Sequence, residues 1–322
     1  MPPPKLLRRL EAVGRALSAG PSAVAGPKQR PFPTSAEALG VGPGSSHAEM
    51  VVQLQQFGFC ICADVIPPEE VVAVREAATR AAIEHDYIAS DPGVLDGTAP
   101  PMEGWAAKGP DVVLRGGLLA PFVADTRLLA VVQEAMLGGA RGRQQALSVF
   151  TTTAQVNPPG MPAHIWHIDT NEQEGPGGVF SGSTLMRPSC INALFFLSPF
   201  TAENGGTWLL PGSHQRSPGS QDQGFASLGF PDAELGNGVI APHPNTVHAA
   251  GPAGSVCLFD CRMWHCAAPN KSSESRVMIN VRYTPTQRSP WKPRDSIDPS
   301  TFLELPPAVQ HLYRPSLVRR DV

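Results

Sequence analysis

The chain has 322 residues, of which 42% are hydrophobic and 16% charged, so it is long enough to bury a substantial core and has the composition of a soluble globular protein. Its formal net charge of -3 gives no electrostatic reason to expect nucleic acid or an anionic membrane surface as a partner. No apolar run approaches the roughly 20 residues that a membrane helix requires.

The cysteines argue against a structural zinc site, because none forms a Cys-x-x-Cys unit with a matching partner. The start of the chain has no apolar signal segment, so we expect a cytoplasmic protein with reduced thiols. A basic, amphipathic stretch near the start, KLLRRLEAVGRAL, leaves import into an organelle as an alternative. The cysteines stand at positions 60, 62, 190, 257, 261 and 266.

Composition divides the chain into three parts. Residues 1–46 are rich in Pro, Gly, Ser and Ala, and they predict a flexible tail or a targeting segment. Residues 47–290 carry the periodic apolar patterns expected of a single folded domain. Residues 291–322 form a C-terminal extension of that domain.

Helical patterns come first within the domain. The stretch VVQLQQFGFCICADVI suggests a short helix followed by a strand. Pro and Glu in a first turn, followed by apolar residues at helical spacing, predict a helix over about 67–86. A further helix is predicted over 126–137, where Gly138 and Gly139 end it.

After residue 145 the pattern changes to short apolar or alternating runs, separated by Gly, Pro and Asn turns. Several short strands preceded by helices predict a mainly β fold, a sandwich or barrel with flanking helices. The runs are ALSVFTTTAQV, HIWHIDT, SCINALFFLSPF, GTWLLPG, GSVCLFD and SRVMINVRYTP.

The run AHIWHIDT carries two histidines and an aspartate. Residues i and i+2 of a strand point to the same face, so His167 and Asp169 project together while Ile168 faces the other side. His164 faces away from His167 if the strand is regular, which favours a structural role for it. One imidazole and one carboxylate leave the 2-His-1-carboxylate site of non-haem Fe(II) oxygenases one histidine short.

The missing ligand has to come from a distant part of the chain, and four histidines are candidates. His214 lies in a turn, and His243 and His248 lie in the Pro- and Asn-rich segment APHPNTVH. His265 follows GSVCLFDCRMW, a glycine turn that leads into an apolar strand. Only this last setting holds a side chain rigidly against an opposing strand, so His265 is favoured as the third ligand.

Arg276 begins the next apolar run after His265. A planar guanidinium binds a carboxylate bidentately, which is what a dicarboxylate co-substrate requires. Taken alone, Arg276 would be interpreted as a surface residue of a strand, and Arg282 would then be the next candidate to bind the co-substrate. Beside a facial triad of ligands, Arg276 instead indicates a dicarboxylate co-substrate.

These motifs together resemble the phytanoyl-CoA dioxygenase family of Fe(II)- and 2-oxoglutarate-dependent oxygenases. The similar segments are HID, NALFFLSPFTAENGGTWLLPGSHQ and GSVCLFDCRMWHCAAPNKSSESRVMINVRY. QFGFCICADVIPPEEVVAVREA also resembles the family's opening strand and helix, so the resemblance runs from about 50 to 290. It implies a double-stranded β-helix, or jelly roll, with N-terminal helices.

The resemblance also implies roles for individual residues. His167, Asp169 and His265 would be the catalytic metal ligands and bind Fe(II), and Arg276 would pair with the C5 carboxylate of 2-oxoglutarate. Some family members have a hydroxyl two positions after the distal histidine. Ala267 stands there in this chain, so support for Arg276 has to come from elsewhere. O2 would be consumed as well, with ascorbate as the reductant in vitro.

Four further residues are candidates for co-substrate binding. Arg115 is a loose counterpart of a basic residue that some family members place ahead of the metal motif. Gln155, on the strand before that motif, either contacts the C1 end of 2-oxoglutarate or is a hydrogen-bonded core amide. Asn192 and Thr207 carry the same two interpretations. The segment NGGTWLLPGSH, residues 204–214, is predicted to be a structural turn rather than catalytic machinery.

The implied reaction oxidises a C–H bond of a small organic molecule and releases succinate and CO2. The carboxylate of Asp169 favours hydroxylation, or a related desaturation or ring-forming oxidation, because halogenating relatives lack this ligand. Two alternatives stay open: a catalytically silent binding protein, and a cupin-like metalloenzyme that does not use 2-oxoglutarate. Arg276 discriminates among them, because a buried arginine facing a metal would be costly without a dicarboxylate to bind.

The identity of the substrate and the oligomeric state are not readable from the sequence. In the family the substrate walls come from the N-terminal region and variable loops, which correspond here to residues 88–118 and 170–188. Large aromatic side chains in or near these segments are candidates to line an apolar pocket or to belong to the core. They are Trp105, Trp166, Phe180 and Trp264.

Overall fold

The computed structural model describes residues 35–86, 105–114, 117–138, 147–164, 166–169, 187–215, 242–286 and 296–314. The α-helices in this part of the chain are α1 (His47–Phe57), α2 (Pro68–Glu84), α3 (Pro110–Val113), α4 (Ala120–Val123), α5 (Thr126–Leu137), α6 (Pro299–Glu304) and α7 (Pro307–Tyr313). The strands are β1 (Phe59–Cys62), β2 (Trp105–Lys108), β3 (Leu147–Asn157), β4 (Ile191–Phe196), β5 (Trp208–Leu209), β6 (Val247–His248), β7 (Val256–Asp260), β8 (His265–Cys266) and β9 (Arg276–Pro285). In the described segments no helix has the length and apolar character that crossing a membrane requires.

Two antiparallel sheets form the body of the domain. The main sheet has six strands in the order β1-β7-β4-β9-β3-β2, and the smaller sheet has three in the order β6-β5-β8. Every neighbouring pair in both sheets is antiparallel. Most neighbouring strands are far apart in the chain, as in a jelly roll. This is the mainly β architecture with flanking helices, the double-stranded β-helix, that the sequence predicted.

Strand β9 shows how the main sheet separates two cores. Its odd-numbered residues, from Val277 to Tyr283, pack in the core that the sheet shares with the helices. Met278 faces the other way and packs in a second core, which also contains Leu209 of the smaller sheet. Because side chains alternate along a strand, the even-numbered positions of β9 point between the two sheets.

Two helices predicted from the sequence, over about 67–86 and 126–137, are confirmed as α2 and α5. The Asp125 carboxylate accepts hydrogen bonds from the first free N–H groups of α5. Gly138 ends α5 with a φ of 70°, which glycine adopts without a steric penalty. Local capping signals therefore determine where this helix begins and ends.

Both ends of the described chain contribute to the cores. Residues 35–46, which the sequence assigned to the tail, include a short 3-10 helix, and Leu39 and Val41 are buried between the sheets. From the predicted C-terminal extension, α7 packs on the main sheet, where the Tyr313 hydroxyl lies 2.7 Å from Thr152 Oγ1. The packed domain thus extends beyond its predicted limits in both directions.

Two segments differ from the secondary structure expected for them. The run HIWHIDT was predicted to be a strand, but within its described residues, 164 and 166–169, the pairing is a single β-bridge between His167 and His265. Pro162, just before this run, has no N–H to donate, which limits regular pairing there. Residues 105–108, assigned to a variable loop, form the edge strand β2, which pairs with β3.

The end of α1 generates a prediction about the PGSH turn. Gly58 has a φ of 86°, and a Cβ there would lie 2.6 Å from His214 Nδ1. Gly58→Ala adds this clash to left-handed strain, so we expect the free energy of unfolding to fall by about 2–5 kcal/mol. Gly117→Ala is the control, because Gly117 has a φ of 75° and a Cβ there would meet no atom of the described residues within 4 Å beyond its chain neighbours, which leaves only strain. Denaturant unfolding measures both losses, and equal losses would contradict the packing of His214 against α1.

Candidate metal centre

Two imidazoles and one carboxylate converge at one point of the domain. The ligating atoms of His167, Asp169 and His265 all lie within 4.8 Å of one another. Asp169 Oδ1 is 3.8 Å from His167 Nε2, and Asp169 Oδ2 is 3.3 Å from His265 Nε2. Within the described residues, this is the group of His, Cys, Asp or Glu side chains that is arranged to hold a metal ion.

The backbone brings the two histidines together. The N–H of His167 donates to the His265 carbonyl and the reverse bond is also made, both at 3.0 Å, as in an antiparallel pair. The ring centroids are consequently 4.2 Å apart. The Asp169 N–H donates to the Cys261 carbonyl at 2.9 Å, which ties this segment to the turn that follows β7. Ile168 faces the opposite side, as the alternation predicted.

His265 presents one ring nitrogen to the cluster. Its Nδ1 lies 3.0 Å from the carbonyl of Met263, which can only accept, so Nδ1 carries the proton. Nε2 faces Asp169 and is the ring nitrogen left for a metal. A neutral imidazole whose second nitrogen donates to a carbonyl is the usual form of a metal-binding histidine.

Other histidines with a claim to this role lie outside the cluster. His248 uses both ring nitrogens elsewhere: Trp208 Nε1 donates to its Nε2 at 3.2 Å, and its Nδ1 faces a backbone carbonyl at 3.1 Å. His214 Nε2 lies 3.1 Å from a backbone carbonyl of α1. His164 lies edge-on to His167 with centroids 5.5 Å apart, and it is not part of the group of converging ligands.

The Asp169 carboxylate is held by two side chains of the main sheet. Arg282 Nη2 is 2.7 Å from Oδ1, and Asn192 Nδ2 donates to Oδ2. Burial alone would raise the pKa of Asp169, but the charge of Arg282 and the neighbouring imidazoles hold this pKa well below its usual range. The carboxylate is therefore ionised at neutral pH, which is the form that binds a metal cation.

Arg276, at the start of β9, is completely buried. Its Nη1 donates to the Gly205 carbonyl at 2.7 Å and lies 3.5 Å from Thr207 Oγ1, and its guanidinium lies 4.8 Å from the centre of the Phe200 ring. Nε and Nη2 meet no hydrogen-bond acceptor among the described residues. Burial lowers the pKa of Arg276 to about 10, so the guanidinium stays charged at neutral pH.

The residues predicted to bind the co-substrate occupy different places. Thr207 lies beside the Arg276 guanidinium, whereas Asn192 contacts the carboxylate of the metal centre. Gln155 is half-buried on β3, on the face that points between the sheets. Arg115 lies outside the described residues.

Sequence reasoning missed the contact between Arg282 and Asp169, because it considered Arg282 only as a substitute for Arg276. A signal was present in the strand alternation, since the two arginines have the same parity on β9 and both point between the sheets. Asn192 pairs with Arg282 in the register of β4 and β9. Which of the two arginines contacts the Asp169 carboxylate depends on how the HID segment crosses the main sheet. That crossing is a tertiary contact, which strand alternation does not predict.

Two of the aromatic residues considered for a substrate pocket point away from the metal centre. Trp166 and Trp264 are buried in a third cluster together with Trp208, on the outer side of the smaller sheet. The Trp166 and Trp208 rings stack with centroids 6.0 Å apart. Trp166 and Trp264 each precede a histidine of the centre, so alternation turns them outward. Phe180 and the side chain of Trp105 lie outside the described part of the structure.

The chain matches known proteins over most of its length. The family model described as phytanoyl-CoA dioxygenase (PhyH) matches residues 54–278. An ectoine dioxygenase of Sphingopyxis alaskensis is 25% identical over 268 residues, which cover 76% of this chain and 78% of that protein. An uncharacterized protein of Mycobacterium tuberculosis is 34% identical over 94 residues, so the match covers 29% of this chain and 28% of the mycobacterial protein.

Solved structures show the same fold. The non-heme alpha ketoglutarate dependent carbocyclase SnoK from nogalamycin biosynthesis has a TM-score of 0.51 at 17% identity, covering 79% of this chain and 87% of SnoK. The epimerase SnoN from the same biosynthesis has a TM-score of 0.50 at 14% identity, covering 74% of this chain and 83% of SnoN. The family match spans both segments that form the metal centre, and the chain belongs to the phytanoyl-CoA dioxygenase family.

Proposed function

We propose that the protein is an Fe(II)- and 2-oxoglutarate-dependent dioxygenase that oxidises a C–H bond of a small organic molecule and releases succinate and CO2. In this proposal His167, Asp169 and His265 bind Fe(II), and Arg276 binds the C5 carboxylate of 2-oxoglutarate. The observation that carries the proposal is the buried guanidinium of Arg276, whose Nε and Nη2 meet no acceptor in the described structure.

The donor set suits Fe(II). Two imidazole nitrogens and one carboxylate on one face of a metal leave the other coordination positions open for exchangeable ligands. Ligands at right angles, each about 2.1 Å from a metal, lie about 3 Å apart. The two Asp169-to-histidine distances of 3.3 and 3.8 Å need only a small contraction to reach this spacing.

When bound, Fe(II) with 2-oxoglutarate and O2 supplies the oxidant for the substrate, and the protein orients the reactants and limits side reactions. In this proposal Asp169 is the carboxylate ligand that halogenating relatives lack. Hydroxylation, or a related desaturation or ring-forming oxidation, is therefore the proposed outcome.

Arg276 supports 2-oxoglutarate as the co-substrate. A buried charge without a partner carries a desolvation penalty of several kcal/mol. Arg276 is charged at neutral pH and has two donors that meet no acceptor among the described residues, and a carboxylate accepts two parallel bonds from such a fork. Thr207 Oγ1 lies 3.5 Å from Nη1, so it is placed to supply the hydroxyl that Ala267 lacks.

Succinate release tests the proposal against its two alternatives. The protein is loaded with Fe(II) and incubated with 2-oxoglutarate, ascorbate and O2, and succinate formed without a substrate is measured. A catalytically silent binding protein and a metalloenzyme that does not use 2-oxoglutarate both produce none. Metal-loaded protein that forms no succinate would therefore overturn the proposed function, and added small molecules that stimulate its release would identify the substrate class.

Loss of any proposed ligand should remove the metal. We expect His167→Ala, Asp169→Ala, Asp169→Gly and His265→Ala each to lower bound iron by more than tenfold and to abolish oxidation, because only two protein ligands remain. Metal analysis after anaerobic loading measures the loss. His248→Ala is the control, because both ring nitrogens of His248 serve structural bonds, and it should keep its iron. Iron lost from His248→Ala but kept in His265→Ala would reverse the assignment.

Arg276→Lys should separate co-substrate binding from metal binding. Lysine keeps the charge and loses the planar fork, and a charge-assisted hydrogen bond contributes about 1.5–3 kcal/mol, so the KM for 2-oxoglutarate should rise roughly 10- to 150-fold. Bound iron should be unchanged, because Arg276 is not a ligand. Succinate formation at varied 2-oxoglutarate measures the KM, with His265→Ala as the variant that loses metal instead. An unchanged KM would remove Arg276 from the co-substrate site.

A further inference from the structure

We propose that Arg282 and Asn192 together form a carboxylate clamp, a pair of positioning residues that holds Asp169 ready to bind the metal. The inference rests on the proposed function, because it gives the carboxylate of that same site its orientation. The contacts that carry it are those of Arg282 and Asn192 with Asp169 and with each other.

The three side chains form a closed ring of hydrogen bonds. Arg282 Nη2 is 2.7 Å from Asp169 Oδ1, and Arg282 Nε donates to Asn192 Oδ1 at 3.0 Å. The Asn192 amide completes the ring by donating from Nδ2 to Asp169 Oδ2. A guanidinium has donors only, so the Asn192 oxygen must face Arg282 and its NH2 group must face the carboxylate. The orientation of the amide therefore follows from the contacts of the arginine.

The clamp occupies one side of the carboxylate and leaves the other side to the histidines. Each Asp169 oxygen receives one bond from the clamp, and each also faces one imidazole, Oδ1 towards His167 and Oδ2 towards His265. A carboxylate oxygen has two lone pairs, so one remains on each oxygen for a metal. Rotation of the carboxylate would break a charge-assisted bond, so the clamp resists it.

Burial makes these bonds matter. Asn192 is fully buried, and the Arg282 and Asp169 side chains are only 11% and 15% exposed. Water therefore competes little for the same donors and acceptors. Removing one partner of a buried ion pair strongly destabilises a protein, because it leaves an uncompensated buried charge. The main sheet supplies both halves of the clamp, because Asn192 and Arg282 lie opposite each other on β4 and β9.

Arg282 has a different role from Arg276, the fully buried arginine at the start of β9. Within the described part of the chain Nε and Nη2 of Arg276 have no acceptor, whereas the same two atoms of Arg282 are bonded to Asn192 and Asp169. Arg282 Nη1 also lies 3.5 Å from the Asp169 carbonyl. Arg282 is thus committed to the metal ligand and has no free fork for a substrate carboxylate.

Metal titration tests the clamp without relying on catalysis. Full-length wild type, Arg282→Gln, Arg282→Lys, Asn192→Ala and Arg276→Lys are titrated anaerobically with Co(II), followed by its visible absorption. Changes in residues that orient metal ligands typically weaken metal binding 10- to 100-fold. We expect a loss in this range, roughly 10- to 100-fold, for Arg282→Gln and Asn192→Ala, and a smaller loss for Arg282→Lys, which keeps the charge.

Arg276→Lys is the matched control, a buried arginine changed on the same strand and the same face. It should leave Co(II) affinity within about threefold of wild type and raise the KM for 2-oxoglutarate. The clamp variants should bind Co(II) more weakly, and their KM for 2-oxoglutarate, measured at saturating metal, should change little. A purely structural role would lower the thermal unfolding temperature without changing the affinity of the folded variant for Co(II). If Arg282→Gln does not fold, Asn192→Ala, which keeps the ion pair, decides the question.

The outcomes separate the clamp from the proposed function. Wild type that binds no Co(II), or binds it equally well after His167→Ala, would refute the metal site and with it the proposed function. Wild type that binds Co(II) through His167, together with clamp variants of equal affinity, would overturn the clamp alone. Weaker binding by the clamp variants with the KM for 2-oxoglutarate little changed would support it.

Discussion

The candidate metal centre depends on the antiparallel pairing of two distant segments at His167 and His265. Two backbone hydrogen bonds of 3.0 Å fix this pair, so the positions of the two rings do not depend on contacts between their side chains. The same pairing turns Trp166 and Trp264 outward, where they are buried with Trp208. Burial of large aromatic side chains contributes strongly to stability. The apolar cluster on the outer side therefore stabilises the arrangement that places the ligands on the inner side.

Strand β9 provides two arginines with the same orientation and different electrostatic surroundings. Arg276 meets a backbone carbonyl and a hydroxyl, and two of its donors have no acceptor in the segments that the structure describes. Arg282 meets the Asp169 carboxylate and the Asn192 amide, so its donors are engaged. The residues are alike in type and in parity. What differs is the neighbouring segment, and this difference makes one arginine a candidate anion receptor and the other the proposed support for a metal ligand.

Local signals explain how much of this could be predicted from the sequence. Helix caps and apolar spacing predicted α2 and α5, and strand alternation predicted that His167 and Asp169 share a face. The contact of Asn192 with Asp169 could not be predicted in this way, because it joins residues on different segments. The burial of Leu39 within a Gly- and Pro-rich stretch is a similar case, since composition reports local flexibility and not the cavity that a side chain fills.

The charges around the candidate centre couple the proposed binding of the metal to that of 2-oxoglutarate. Arg276 and Arg282 both point between the sheets from β9, and the carboxylate that Arg282 contacts is Asp169. Two guanidinium groups and one carboxylate give these residues an excess of positive charge, which opposes the entry of a divalent cation alone. A dianion such as 2-oxoglutarate offsets this excess, and it contacts the cation and Arg276 together in the proposed complex. By linkage, a dianion that strengthens metal binding is itself bound more tightly when the metal is present. The clamp on Asp169 acts in the same direction, because a carboxylate that is already ionised and oriented does not need to be reorganised when the two bind.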